Sequence, residues 1–187
     1  MKKFTCISLY FLYFWGYDTD NFLGVEPERL GISIFEEINY SNKEFIGTLP
    51  ADPDLSITKD ALEIITEIQI TSFGTNSTTL EVRVGDLFPR LVSFGADGKL
   101  YILTNASNYT YELGVWYRVH AKVNFKTSKI ETTVSSPSGT ITLKGSYNFP
   151  SKPTAVYIAH RDNTGNADEE NPARTLINSF SIFESDF

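Results

Sequence analysis

Residues Gly114 to Phe125 read GVWYRVHAKVNF, and this stretch decides the fold. From Val115 onward every second residue is apolar: Val115, Tyr117, Val119, Ala121, Val123 and Phe125. Trp116, Arg118, His120, Lys122 and Asn124 fall between them. A strand projects alternate side chains to opposite faces, so the pattern predicts a strand with one buried and one polar face. At about ten residues it is long, and long strands belong to large sheets. A two-layer β protein is the expected architecture.

The flanking sequence repeats the signal. Upstream, Leu62 to Ile70 alternates at period two, and its β-branched content favours a strand over a helix starting near Thr58. Leu80, Val82 and Val84 alternate with Glu81 and Arg83. Leu91 to Phe94 and Lys99 to Leu103 flank Asp97-Gly98, which supplies the positive-φ positions of a tight hairpin. Asn105 to Asn108 reads as a loop before a strand at Tyr109 to Leu113. Downstream come strands at Ile130 to Val134, Ile141 to Leu143, Ala155 to His160 and Leu176 to Phe183. Asp18 to Pro50 is punctuated by glycine and proline and reads as irregular, with a short apolar piece at Ile32 to Phe35. Short strands at roughly ten-residue intervals, with no convincing helix, predict an antiparallel sandwich or barrel. The expected inter-sheet core is Val119, Ala121, Val123, Leu80, Val82, Val156, Ile158, Phe180 and Ile182.

Composition narrows the function classes. The 187 residues are 41% hydrophobic and 14% aromatic, enough for a substantial core. The net charge of -7 disfavours nucleic acid and anionic membrane surfaces, which need basic patches. Cys6 is the only cysteine, so there is no internal disulfide and no zinc site built on paired cysteines. Lys2 and Lys3 precede the apolar run Phe4 to Trp15, in the order of a secretory signal. Residues 1–17 are thus either a signal or anchor, the one route to a membrane, or a buried first strand. The expected domain is 18–187, and the expected location is secreted or at the cell surface.

Leu80-Glu-Val-Arg-Val-Gly, Phe94-Gly-Ala-Asp-Gly-Lys-Leu, Gly114-Val-Trp-Tyr-Arg-Val, Val156-Tyr-Ile-Ala-His and Ile177-Asn-Ser-Phe-Ser-Ile follow one another in order. Together they resemble the concanavalin A-like lectin/glucanase superfamily, with laminin-G-like domains the nearest-looking branch. The resemblance covers about Ala61 to Glu184, and the last strand departs from the common I-D-N by carrying Asn178 and Ser179. It implies an all-β jelly-roll β-sandwich of two curved antiparallel sheets, in a single concanavalin A-like domain. Parity places Trp116 with the polar residues, where it could stack on a sugar ring; the same resemblance implies that it folds into the core, and large aromatics are highly buried on average. Members bind glycans, bind proteins or cut polysaccharides, so the fold leaves function open.

The E-x-D-x-x-E pattern of the superfamily's hydrolases is absent. Glu63 and Glu67, four residues apart on one strand, lie ~13 Å apart, beyond the ~5 to 9.5 Å a glycosidase pair needs. A lyase would need a cation to neutralise a uronate and a Tyr or His to move the proton. Parity puts Arg83, Arg118, His120, Tyr157 and Arg161 on outward faces, and these five form the expected ligand site if those faces line one concave sheet. A patch of this kind would attract an anionic glycan. The 162–170 loop, with Asp162, Asp168, Glu169 and Glu170, could hold Ca²⁺; no cofactor is otherwise required. Sequons stand at Asn39, Asn76, Asn105 and Asn108. The function expected is a non-catalytic, lectin-like binding module for carbohydrate. The alternatives are a lyase acting on an acidic glycan and a structural or adhesion domain binding an extracellular or cell-surface protein.

Overall fold

The structure is a computed structural model. It describes the backbone of residues 31–45, 48–49, 55–161 and 173–185, and the side chains of 55–161 and 173–185. The expectations for residues 1–17 and for the 162–170 loop lie outside the described residues.

The described chain forms twelve strands and no helix. The first sheet holds β1 (Gly31–Phe45), β3 (Ala61–Ser72), β8 (Trp116–Asn124), β9 (Lys129–Ser136), β10 (Gly139–Ser146) and β12 (Arg174–Ser185), in the order β1-β12-β3-β8-β9-β10. The second holds β2 (Thr48–Leu49), β4 (Ser77–Arg83), β5 (Arg90–Phe94), β6 (Lys99–Ile102), β7 (Asn105–Thr110) and β11 (Ala155–Arg161), in the order β2-β11-β4-β5-β6-β7. All pairings are antiparallel. The chain passes between sheets at both ends, and the last two strands nest between early ones: β12 between β1 and β3, β11 between β2 and β4. This nesting makes the molecule a jelly-roll β-sandwich.

Alternation explains why these segments pair. In β8, Tyr117, Val119, Ala121 and Val123 are buried, whereas Trp116, Arg118, His120, Lys122 and Asn124 are half-buried on the other face. All nine expected core residues lie in one apolar cluster between the sheets. Fully burying one such side chain stabilises the fold by about 1.5 to 3 kcal/mol. Phe94, Tyr111 and Tyr117 add a ring cluster, with centroids 5.1 to 6.2 Å apart. The Tyr111 hydroxyl donates to the carbonyl of Gly95 at 2.8 Å, and burial pushes its pKa upward.

Three expectations need correction. Residues 31–45 form a fifteen-residue strand rather than an irregular segment. Register shifts at three places along its pairing with β12 break the period of two. Asn105 to Asn108 belong to β7, an edge strand whose residues are exposed or half-buried and therefore show no apolar alternation. Trp116 is not in the core: it sits opposite Gln69 on the outer face of the first sheet. Asn76 is 1% exposed, which leaves no room for a glycan there, whereas Asn105 and Asn108 are exposed.

Candidate functional site

The five expected site residues do not share a face. Arg118 and His120 lie on β8 in the first sheet; Arg83, Tyr157 and Arg161 lie on β4 and β11 in the second. Each outward set is turned away from the common core, so the sets are on opposite sides of the sandwich. Parity predicts which side of its own strand a residue takes, but not which sheet the strand joins.

Arg118, His120 and Arg161 are each also engaged by a glutamate. Arg118 Nη1 is 3.8 Å from Glu67 Oε1, and Asn178 Nδ2 donates to the other Glu67 oxygen at 2.9 Å. His120 Nε2 lies 2.7 Å from Glu63 Oε2, with Lys122 Nζ at 3.7 Å from the same oxygen. Burial alone would raise the Glu63 pKa, but the bond from His120, with the nearby Ser185 hydroxyl and the Lys122 charge, lowers it overall. Arg161 Nε donates to both oxygens of the buried Glu81, its Nη2 also bonds Glu81 Oε1, and its guanidinium lies 5.0 Å from the Phe88 ring centre. Tyr157 is buried, with its ring 6.1 Å from Phe88. Arg83 Nε donates to the carbonyl of Gly85 at 3.2 Å. Glu63 and Glu67 are each tied to cations in the same way and do not face each other as a catalytic pair.

A different site appears on the outer face of the second sheet. A groove of about 380 Å³ is lined by Arg90 and Ser93 on β5, by Gly95, Asp97 and Tyr101, and by Thr75, Ser77 and Thr104.

The local sequence builds this groove. Leu80 pairs with Val92 but Glu81 with Arg90, so Leu91 is an inserted residue between the two pairs. A bulge of this kind re-aims side chains. Leu91 and Val92 both reach the core, and Arg90 emerges on the outer face beside Glu81. The Leu91 carbonyl is anchored across the sandwich by Thr132 Oγ1 at 2.9 Å. Ser93 follows on the outward side, between Thr79 on β4 and Tyr101 on β6.

The β5–β6 hairpin turns on Gly95 to Gly98. Gly95 N donates to Lys99 O at 2.8 Å, and Gly98 takes φ 77°, which favours glycine. Asp97 Oδ2 accepts from the Tyr101 hydroxyl at 2.6 Å, and Oδ1 accepts from the backbone of Lys99 at 3.2 Å. The Tyr101 bond, with those from the backbone, holds the Asp97 carboxyl below its ordinary range, and Asp97 in turn raises the phenol. Gly95 makes the arrangement fit: a Cβ there would stand 2.6 Å from both Asp97 Oδ1 and the Tyr101 ring.

Ser93 is 2% exposed, and its Oγ has no hydrogen-bond partner among the described residues. A buried hydroxyl left unpaired costs about 1 to 3 kcal/mol. The two other buried side-chain atoms in that condition, Glu63 Oε1 and Ser185 Oγ, belong to neighbouring groups in the first sheet, where the serine supports the carboxylate. Among the described residues of the second sheet Ser93 alone is in that condition, and it lines the groove. Among the described residues no cluster of three or more His, Cys, Asp or Glu could hold a metal ion.

Sequence reading missed Arg90, Ser93 and Tyr101, and took Asp97 only as a turn residue. The one available signal was a serine inside the otherwise apolar run Leu91-Val-Ser-Phe94.

No protein-family model matches the sequence, and no curated protein matches it. Solved structures do resemble it. A sialidase of Trypanosoma rangeli, in complex with 2,3-difluoro-KDN, matches with a TM-score of 0.53 at 12% identity, over 79% of this chain and 26% of that one. Another sialidase matches with a TM-score of 0.53 at 13% identity, over 76% of this chain and 15% of that one. Arcelin-5, a lectin-like defence protein from Phaseolus vulgaris, matches with a TM-score of 0.44 at 6% identity, over 71% of this chain and 75% of that one. The chain spans about a quarter or less of the sialidases it matches. At this identity the likeness is one of fold: the sandwich is of a kind also found within sialidases.

Proposed function

We propose that this chain is a non-catalytic carbohydrate-binding module, its sandwich of the concanavalin A-like kind, with the ligand seated in the groove on the outer face of the second sheet. The observation that carries the reading is the buried, unpartnered Ser93 hydroxyl facing a groove lined by other hydroxyls. Sugars present hydroxyls that both donate and accept, so a floor and rim of Ser and Thr suit them. An unpaired buried donor gains a partner on binding, and the free protein carries the cost until then. Its volume lies in the range of small-ligand sites. The lyase reading loses its motive, because His120 and Tyr157 stand on opposite sheets and Arg118 and Arg161 are each held by a glutamate.

A glycan array, run beside assays for new reducing ends and for unsaturated uronate absorbance, tests the proposal. Glycan signal without either product is the expected result. Product formation would replace the reading by an enzymatic one. Silence in all three would leave a protein-binding role.

A further inference from the structure

Resting on that reading, we infer that the groove takes a neutral saccharide, anchored through its hydroxyls by the Asp97 carboxylate and positioned over Ser93. This departs from the expectation of an anionic glycan, and charge is the reason. Arg118, His120 and Arg161 do not gather into a cationic face; each is matched by Glu67, Glu63 or Glu81. The groove lining itself includes one cation, Arg90, and one anion, Asp97. An acidic sugar would set its own carboxylate within a groove that already holds a carboxylate, on a chain of net charge -7.

Asp97 is built as an acceptor for incoming hydroxyls. Each of its oxygens accepts one internal bond, from Tyr101 or from the Lys99 backbone, and a carboxylate oxygen can accept a second. The internal bonds fix its orientation before a ligand arrives, which lowers the ordering cost of binding. Bonds from neutral hydroxyls to a carboxylate are among the stronger kinds. Ser93, deeper in the groove, offers one hydroxyl that donates or accepts as the sugar requires. Tyr101 holds Asp97 in place and is a positioning residue.

The test is calorimetric titration of the whole chain with two sets of probes. The neutral set is lactose, maltotriose, cellotriose and mannotriose; the acidic set is sialyllactose and trigalacturonate. At least one neutral probe is expected to bind, with affinity changing less than about twofold between low and high salt, since no net charge is neutralised. Asp97→Asn should weaken that binding by about tenfold or more, and Tyr101→Phe by about threefold to tenfold, because each removes a bond that orders or accepts. Ser93→Ala should weaken binding while leaving the thermal midpoint the same or higher, because it removes an unpaired buried hydroxyl. Arg118→Ala, on the opposite sheet, should leave it unchanged. Circular dichroism of each variant separates lost affinity from lost folding, and if Asp97→Asn fails to fold, Tyr101→Phe and Ser93→Ala carry the decision. Binding of the acidic set alone, or full affinity in the folded Asp97→Asn variant, overturns the inference and leaves the carbohydrate reading standing. Absence of binding to both sets overturns the inference and the carbohydrate reading together.

Discussion

His160 shows how one side chain's burial becomes a property of the whole protein. It follows Val156 and Ile158 on the inward face of β11, is fully buried, and lies 3.2 Å from Thr175 Oγ1, which itself lies 2.9 Å from Thr78 Oγ1. Burial disfavours the charged imidazolium and lowers the pKa to about 4 from 6.5. In the unfolded chain the imidazole takes up its proton as pH falls through 6.5; in the folded chain it does so only near 4. Its contribution is therefore fully present above pH 6.5 and lost progressively down to pH 4. Urea unfolding at pH 7 and pH 4.5, for the native chain and for His160→Asn, measures it. The native chain should lose about 2 kcal/mol more over that interval than the variant. Comparing the two chains cancels the carboxylates, including Glu63 and Glu184, whose pKa values are lowered in the fold. Parallel losses would contradict the assignment. This position was legible in the sequence, because strand parity alone puts His160 with Val156 and Ile158.

The β5–β6 hairpin links element geometry to the groove. Gly95→Ala places a methyl 2.6 Å from Asp97 Oδ1 and from the Tyr101 ring, and 3.2 Å from the Lys99 carbonyl. The tyrosine is tied to Asp97, so it cannot simply swing aside. The substitution should cost about 1 to 3 kcal/mol in urea unfolding. It should also reduce affinity for a neutral probe by at least about tenfold, since Tyr101 and Asp97 must part. Unchanged stability and affinity would show that the hairpin tolerates the methyl and that Asp97 is not held as described. Among elements, those packed on both sides of a regular ladder were legible: β8, β4 and β11 announce themselves by alternation. β1 was not, because its three register shifts scramble the period. Nor was the first half of β7, an edge strand with no apolar face to display. The bulge at Leu91 was equally silent, since it depends on which strand lies alongside.

At the scale of the molecule, the sandwich presents two outer faces of different character. The face of the first sheet is polar and laced with ion pairs, Glu67–Arg118, Glu63–His120 and Glu131–Lys144, and the Thr133 and Thr142 hydroxyls are 3.2 Å apart. The face of the second sheet holds the groove and its unmatched Ser93 hydroxyl. No reading of single strands could tell the two faces apart. Arg118 on β8 and Arg161 on β11 have the same local pattern, and only the order of strands in each sheet separates them. The same limit hid the groove, which draws on loops and strands from Thr75 to Thr104. If this groove, rather than the face bearing Arg118 and His120, receives the sugar, backbone amide shifts of ¹⁵N-labelled protein will report it during titration with the neutral probe that binds best. The largest changes are expected at Ser77, Ser93, Gly95, Asp97 and Tyr101, with Arg118, His120 and Lys122 unmoved; changes centred on Arg118 and His120 with the groove amides still would place the sugar on the other sheet.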